Sequence, residues 1–279
     1  MQPLPQLQTA HLLPVLDQHL QQVISSLQEP EWELPTVAPK WSVRDVALHL
    51  LDGNLRTLSM LRDGHFADSG PASPAYPDVV QYLNALNAAW VAVGQRLSPA
   101  VITWLLDVSG VAYCHYMATL EPQAPAVFSV AWAGEEQSLN WFHVAREYTE
   151  KWHHQQQIRL AVGQEAPLLT RELYHPFLAT CVRALPHHYQ HTEAPAGTTL
   201  RFHVNGPAGD TWYLRRTAEA WELGQAYTGP VETSVELTGN VAWRLFMKSL
   251  PAREAADHLH VEGNPDLAQP LYSVTAVMA

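Results

Sequence analysis

The sequence predicts an N-terminal helical bundle followed by a small α+β domain whose sheet is mainly antiparallel. Three observations predict it. Up to about Tyr189, apolar residues recur at helical spacing. From about Thr199, the chain breaks into short strands separated by Gly, Pro and Asp turns. Between the two, His191–Gly197 (HTEAPAG) has the composition of a linker. The expected domains are residues 1–190 and 198–279. Of the 279 residues, 47% are hydrophobic, which supplies material for cores and excludes a disordered chain.

The first helix is expected over His11–Leu27, where Leu12, Leu13, Leu16, Leu20, Val23, Ile24 and Leu27 form one apolar face. Pro30, Pro35 and Pro39 forbid its continuation. Ser42 and Asp45 make a capping box, with Asp in place of Glu, for a second helix that stops near Gly64. Asp68–Pro77 reads as a loop, Asp78–Leu97 as a third helix and Pro99–Leu120 as an apolar helix. Glu121–Gln137 reads as short β-like pieces or an irregular loop. A long helix over Ser138–Val162 ends at Gly163, a favourable residue just past a C-terminus. Another helix covers Thr170–Leu185. In the second half, Thr199–Val204, Thr211–Arg216, Ala220–Leu223, Thr233–Leu237 and Leu259–Glu262 read as strands. Asn240 caps a short helix to Leu250, Pro251–Asp257 forms a further turn, and Asn264-Pro265 opens a last helix, all on one face of the sheet.

Charge narrows the partners. Sixteen Lys and Arg against 27 Asp and Glu give −11, which argues against nucleic acid and against a polybasic membrane anchor. No run of 18 apolar residues exists, and Met1–Thr9 lacks the pattern of a signal peptide. Cys114 and Cys181 cannot build a disulfide scaffold, and both are expected as buried, inert thiols. The expected setting is the cytoplasm, and the expected partner is a small molecule. Monomer and homodimer both stay open.

The segment Glu147–Arg159 (EYTEKWHHQQQIR) carries the chemistry. Glu150 and His154 lie four apart on a helix, so their side chains leave the same face one turn apart. Imidazole and carboxylate are ordinary zinc ligands, and His49 is the best third candidate because it interrupts an apolar run on the second helix. Antiparallel packing of the two helices would join them. The plainer alternatives are a hydrogen-bonded core histidine and a surface i,i+4 pair. Other features favour plain readings: Trp132, Trp141 and Trp152 as core, and His187, His188 and His191 as a solvated cluster. For His143 and Glu147, a site-supporting and a surface role are equally open.

The run Trp41-Ser42-Val43-Arg44-Asp45-Val46-Ala47-Leu48-His49-Leu50 resembles the W-[ST]-V-R-D-V-x-x-H-L signature of the DinB-like superfamily, in its mycothiol-dependent maleylpyruvate isomerase branch. Glu150 through Arg159 is similar to that branch's E-x-x-x-H-x-x-D-[IL]-R ending, with Gln157 where many relatives carry Asp. Val235–Gly239, Arg244 and Val261–Leu267 resemble the branch's sterol-carrier-like C-terminal domain. The resemblance implies a DinB-like four-helix bundle holding a divalent metal on His49, Glu150 and His154, followed by a sterol-carrier-like α+β domain. It also implies a low-molecular-weight thiol, such as mycothiol or bacillithiol, adding to a small unsaturated acid in an isomerase or S-transferase reaction. Zinc suits the ligand set, though nickel or ferrous iron would be accepted. Carboxylate substrates need a cation. Arg159 falls on the far side of its helix, so Arg244 is the candidate catalytic residue, against the plain reading of a solvated helix charge. The competing functions are a metal-dependent hydrolase and a non-catalytic metal- or small-molecule-binding protein.

Overall fold

The computed structural model describes residues 1–67, 70–73 and 75–277. The expected loop at Asp68–Pro77 includes Asp68, Ser69 and Pro74, which lie outside the described residues, as do the last two positions of the second expected domain. The chain forms two compact units. The helical unit comprises Gln8–Val127 and Leu139–Leu168. The sheet unit comprises Met1–Leu7, Phe128–Ser138 and Leu169–Val277, so residues 169–190 pack with the sheet.

Five long helices build the helical unit: α1 (Leu13–Ser26), α2 (Val43–Thr57), α3 (Tyr76–Gly94), α4 (Pro99–Thr119) and α5 (Asn140–Ala161). Four of them close a bundle, because α1 and α2 each pack on both α4 and α5. The third helix lies outside the ring, against α2. Leu20, Val23 and Ile24 of α1 meet Val46, Leu50 and Leu51 of α2, Ile102 and Leu106 of α4, and Ile158 of α5 in one core. The capping box at α2 forms as expected: the Asp45 backbone N–H donates to Ser42 Oγ, and the Ser42 N–H donates to the Asp45 carboxylate at 2.9 Å. The helix then runs through one π turn, Leu58–Arg62, before the chain turns away. At the end of α5, Gly163 adopts φ 70°, a left-handed conformation that costs a residue with a Cβ and stops the helix.

Polar groups cross the bundle interior. The Lys151 ammonium bonds the Asn54 side-chain carbonyl and sits 4.3 Å from the Tyr113 ring centroid. Asn54 donates onward to Ser109 Oγ at 3.0 Å, and Tyr113 donates its hydroxyl proton to Glu147 at 2.8 Å. Asp17 borders a cavity of about 10 Å³ beside Lys151, Tyr113 and Cys114. Burial pushes the Asp17 carboxyl up to about 6, against the pull of Lys151 and with a push from Asp107. Burial and the neighbouring Asp17 drive the Cys114 thiol up to about 12, so it is inert as expected.

A folded-state carboxyl that holds its proton more tightly than the unfolded chain contributes stability that is full below pH 3.8 and is lost as pH rises through about 6. Asp17→Asn is therefore expected to raise Tm at pH 8 and leave it nearly unchanged at pH 4. The gain at pH 8 is bounded by about 3 kcal/mol, the equivalent of a two-unit shift. Equal effects at both pH values in thermal unfolding would contradict this.

The sheet unit has six strands: β1 (Gln2–Pro3), β2 (Thr199–Val204), β3 (Thr211–Arg216), β4 (Trp221–Gln225), β5 (Thr233–Leu237) and β6 (Leu259–Gly263). Their order is β1-β4-β3-β2-β5-β6, antiparallel except for the β2–β5 pair. Alternation puts Leu200, Phe202, Leu214, Val235 and Leu237 inside. The short helix α8 (Ala242–Phe246), which follows α6 (Arg171–Cys181) and α7 (Leu185–His188) in the chain, covers that face. Its Phe246 meets Phe202 edge-on, with ring centroids 6.1 Å apart. Tyr174 of α6 ties the layer together, donating to the Gly239 carbonyl at 2.7 Å and accepting from the Trp243 N–H at 2.9 Å. Two further short helices, α9 (Ala252–Ala255) and α10 (Pro265–Ala268), complete the α+β layer. The two-residue strand β1 was not expected, since Gln2–Pro3 is too short to carry an alternation.

Candidate metal centre

Packing of α2 on α5 brings His49 to Glu150 and His154. One donor atom from each lies within 4.8 Å of the others. Among the described residues this is the one group of three or more His, Cys, Asp or Glu arranged to hold a metal ion. His154 Nε2 stands 3.5 Å from a Glu150 carboxylate oxygen, and the His49 and His154 rings meet edge-on with centroids 4.4 Å apart. The Glu150 side chain keeps 30% of its surface exposed while that of His154 keeps 9%, so the group is open on the carboxylate's side.

Two features fit the donors to a metal. His49 Nδ1 is buried and has no hydrogen-bond partner. A buried ring nitrogen left in that state is costly unless something else occupies it. His154 Nδ1 lies 2.9 Å from Gln157 Oε1, which can only accept, so the proton sits on Nδ1 and the Nε2 lone pair faces Glu150. Gln157, one turn beyond on α5, thus does for His154 what a carboxylate would do at that position. Burial, His154 and Arg56 hold His49 well below the usual imidazole range, against the pull of Glu150, which leaves it neutral and able to ligate. Burial alone would raise the Glu150 carboxyl; the adjoining His154 imidazole, with His153 and His49 around it, brings it down to about 2.

Neighbours shape the pocket. Trp41 closes one side, its ring 4.8 Å from His49 and 5.9 Å from His154. His153 lies against His154, with centroids 3.8 Å apart, and its Nδ1–H donates to the Thr149 carbonyl at 2.8 Å. Sequence reasoning quoted Trp41 within a motif but gave it no role, and it left the role of Gln157 in doubt. Sequence reasoning also gave Lys151 no role.

Other sequence candidates lie elsewhere. Arg244, on α8 in the sheet unit, donates through Nε and Nη2 to the Ser249 carbonyl at 3.3 and 3.0 Å, and approaches Glu254 at 3.9 Å. Arg159 is buried and donates to the carbonyls of His19 and Gln164 at 2.8 and 3.1 Å. Glu147 is held by Tyr113 and Arg146. His188 bonds the Pro270 carbonyl at 2.6 Å. Trp152 is core, donating to the Leu168 carbonyl at 3.3 Å.

A helical bundle that carries a His/Glu/His group, in a chain whose second unit is an α+β sheet, defines a class: two-unit proteins with a candidate metal centre. Residues 13–159 match the family model of the mycothiol maleylpyruvate isomerase N-terminal domain, and the chain belongs to that family. Two crystal structures of the mycothiol-dependent maleylpyruvate isomerase, one of them a histidine-to-alanine mutant, share the fold. The mutant gives TM-score 0.56 and the other 0.53; each is 12% identical, with 94% of this chain and 96% of that chain covered. At that identity the likeness establishes the fold alone. No curated protein matches the chain. Among the described residues, no helix is long and apolar enough to cross a membrane.

Proposed function

We propose that the chain is a metal-dependent enzyme that uses a low-molecular-weight thiol, mycothiol or bacillithiol, as an isomerase or S-transferase of the maleylpyruvate isomerase type on a small unsaturated acid in the cytoplasm. The observation that carries the reading is the cluster of one donor atom each from His49, Glu150 and His154 within 4.8 Å, inside the domain that defines the family. His49, Glu150 and His154 would hold the divalent metal, zinc before nickel or iron. When bound, the metal would supply Lewis acidity to a thiol or water at its fourth position.

The chain's own residues prepare that position. Gln157 holds the proton on His154 Nδ1, which keeps Nε2 free. The Thr149 carbonyl fixes the His153 ring against His154. Trp41 shields both ligating imidazoles from water on one side. In this reading the helical unit is the DinB-like domain, and residues 198–279 are the sterol-carrier-like domain. Arg244 would be the cation for a substrate carboxylate, at the expense of its bonds to the Ser249 carbonyl.

The test is an absorbance assay of cis–trans isomerisation of maleylpyruvate with zinc-loaded protein and mycothiol or bacillithiol. Turnover that needs both thiol and metal supports the reading. Thiol-independent hydrolysis would favour the hydrolase, and absence of any turnover would favour a binding protein. In the same preparation Gln157→Leu is expected to weaken metal affinity about 10–100-fold while the fold persists. An unchanged affinity would contradict the role given to Gln157.

A further inference from the structure

The fourth helix is apolar on two sides. Its inner side buries Ile102, Leu106, Tyr113 and Met117 in the bundle. Its outer side leaves Val101 38%, Trp104 60%, Val108 48% and Val111 66% exposed. Single exposed apolar residues are ordinary, but a helix hydrophobic all round is normally covered. The intervals between these four are three, four and three, the spacing of a coiled-coil seam. Asp107 is the one Asp, Glu, Lys or Arg in Pro99–Thr119, in a chain whose net charge is −11. Two copies would repel over much of their surface and least along this helix.

We infer that the outer face of α4 is a dimer interface with a second copy of this chain, the two helices running antiparallel across a two-fold axis. The 3-4-3 spacing reads the same in both directions. An antiparallel pair therefore sets Val101 of one copy opposite Val111 of the other, and the large Trp104 opposite the smaller Val108. This is the self-complementarity that an isologous contact requires. Beside Trp104 lies an open groove of about 640 Å³ of mixed lining, with Leu27 and Pro99 next to Gln21, Ser25, Thr103 and Asp107. A 21-residue helix is roughly 32 Å long at 1.5 Å per residue. A seam of that length covers on the order of 600 Å² per copy, about 1,200 Å² in all, the lower end for a stable interface. The dimer is thus expected to form in the micromolar range.

Sedimentation velocity of the full chain between about 1 and 200 µM tests it. The expected result is concentration-dependent growth from 31.1 kDa to twice that mass. Val108→Glu is expected to loosen association by more than about 30-fold with Tm unchanged, because the side chain is exposed in the single copy. Oxidation of a Val101→Cys, Val111→Cys double variant is expected to cross-link two chains, with each single variant cross-linking poorly, since the native Cys114 and Cys181 are buried. A monomer at every concentration would overturn the inference. So would a dimer indifferent to Val108→Glu, cross-linking by the single variants instead, or a monomer whose α4 face binds phosphatidylcholine vesicles.

Discussion

Replacing His154 by alanine is expected to raise the zinc dissociation constant by more than about 100-fold and to abolish thiol-dependent turnover. The reason is positional. Glu150 and His154 leave α5 on one face, and His49 reaches them from α2, so removing His154 leaves a carboxylate and one imidazole, too few donors for a tight site. The change also removes the partner of Gln157, whose side chain is buried. Some loss of Tm is expected from that, of about 1–3 kcal/mol equivalent, and it must be separated from loss of metal. His154→Gln is the control, since it refills the space and returns a hydrogen-bonding group. Calorimetric titration with zinc checks the pair. Both variants should lose the high-affinity site, and only the alanine should lose appreciable stability. Zinc affinity within a few-fold of wild type in either variant would count against the triad.

Gly263→Ala is expected to destabilise the sheet unit strongly. Gly263 ends β6 with φ 98°, a conformation strained for any residue with a Cβ, and it pairs with Thr233. A Cβ built there would stand 2.1 Å from the Glu232 carbonyl oxygen, and backbone does not move aside cheaply. Strain and clash together are expected to cost about 3–5 kcal/mol, which lowers Tm by on the order of 10 °C. Thermal unfolding followed by circular dichroism checks it, and a fall of less than about 2 °C would contradict the account. His49, Glu150 and His154 all lie in the other unit, so zinc affinity measured well below the transition should be unchanged.

Much of the fold was legible because its signals are local. Ser42 and Asp45 announce a helix start through a hydrogen-bond exchange that needs no distant partner. Gly163 announces an end through its own φ. The short strands β2, β3 and β5 match the expected runs because alternation is visible within six residues. What the pattern could not carry was association. The third helix has the same helical period as its neighbours, yet it lies outside the ring of four. Residues 169–190 read as a continuation of the bundle, yet they pack with the sheet through contacts such as Tyr174 to Gly239.

The site shows the same division. Glu150 and His154 could be paired from helical geometry alone, whereas His49 needed a second helix whose register the sequence does not print. The service of Gln157 to His154 follows from an i,i+3 spacing that was in view, but a neutral amide there gave no reason to expect it. Lys151 was hidden for a different reason. Its ammonium is satisfied by Asn54 and the Tyr113 face across the bundle, and no local pattern foretells a lysine turned inward.

The central claim is that His49, Glu150 and His154 hold one divalent metal. Elemental mass spectrometry of the untagged chain, after addition of zinc and exhaustive dialysis, tests it most directly. The account predicts about one zinc per chain for wild type and less than a tenth of that for His49→Ala. A wild-type chain that retains no metal, or a His49→Ala chain that retains as much as wild type, would contradict it.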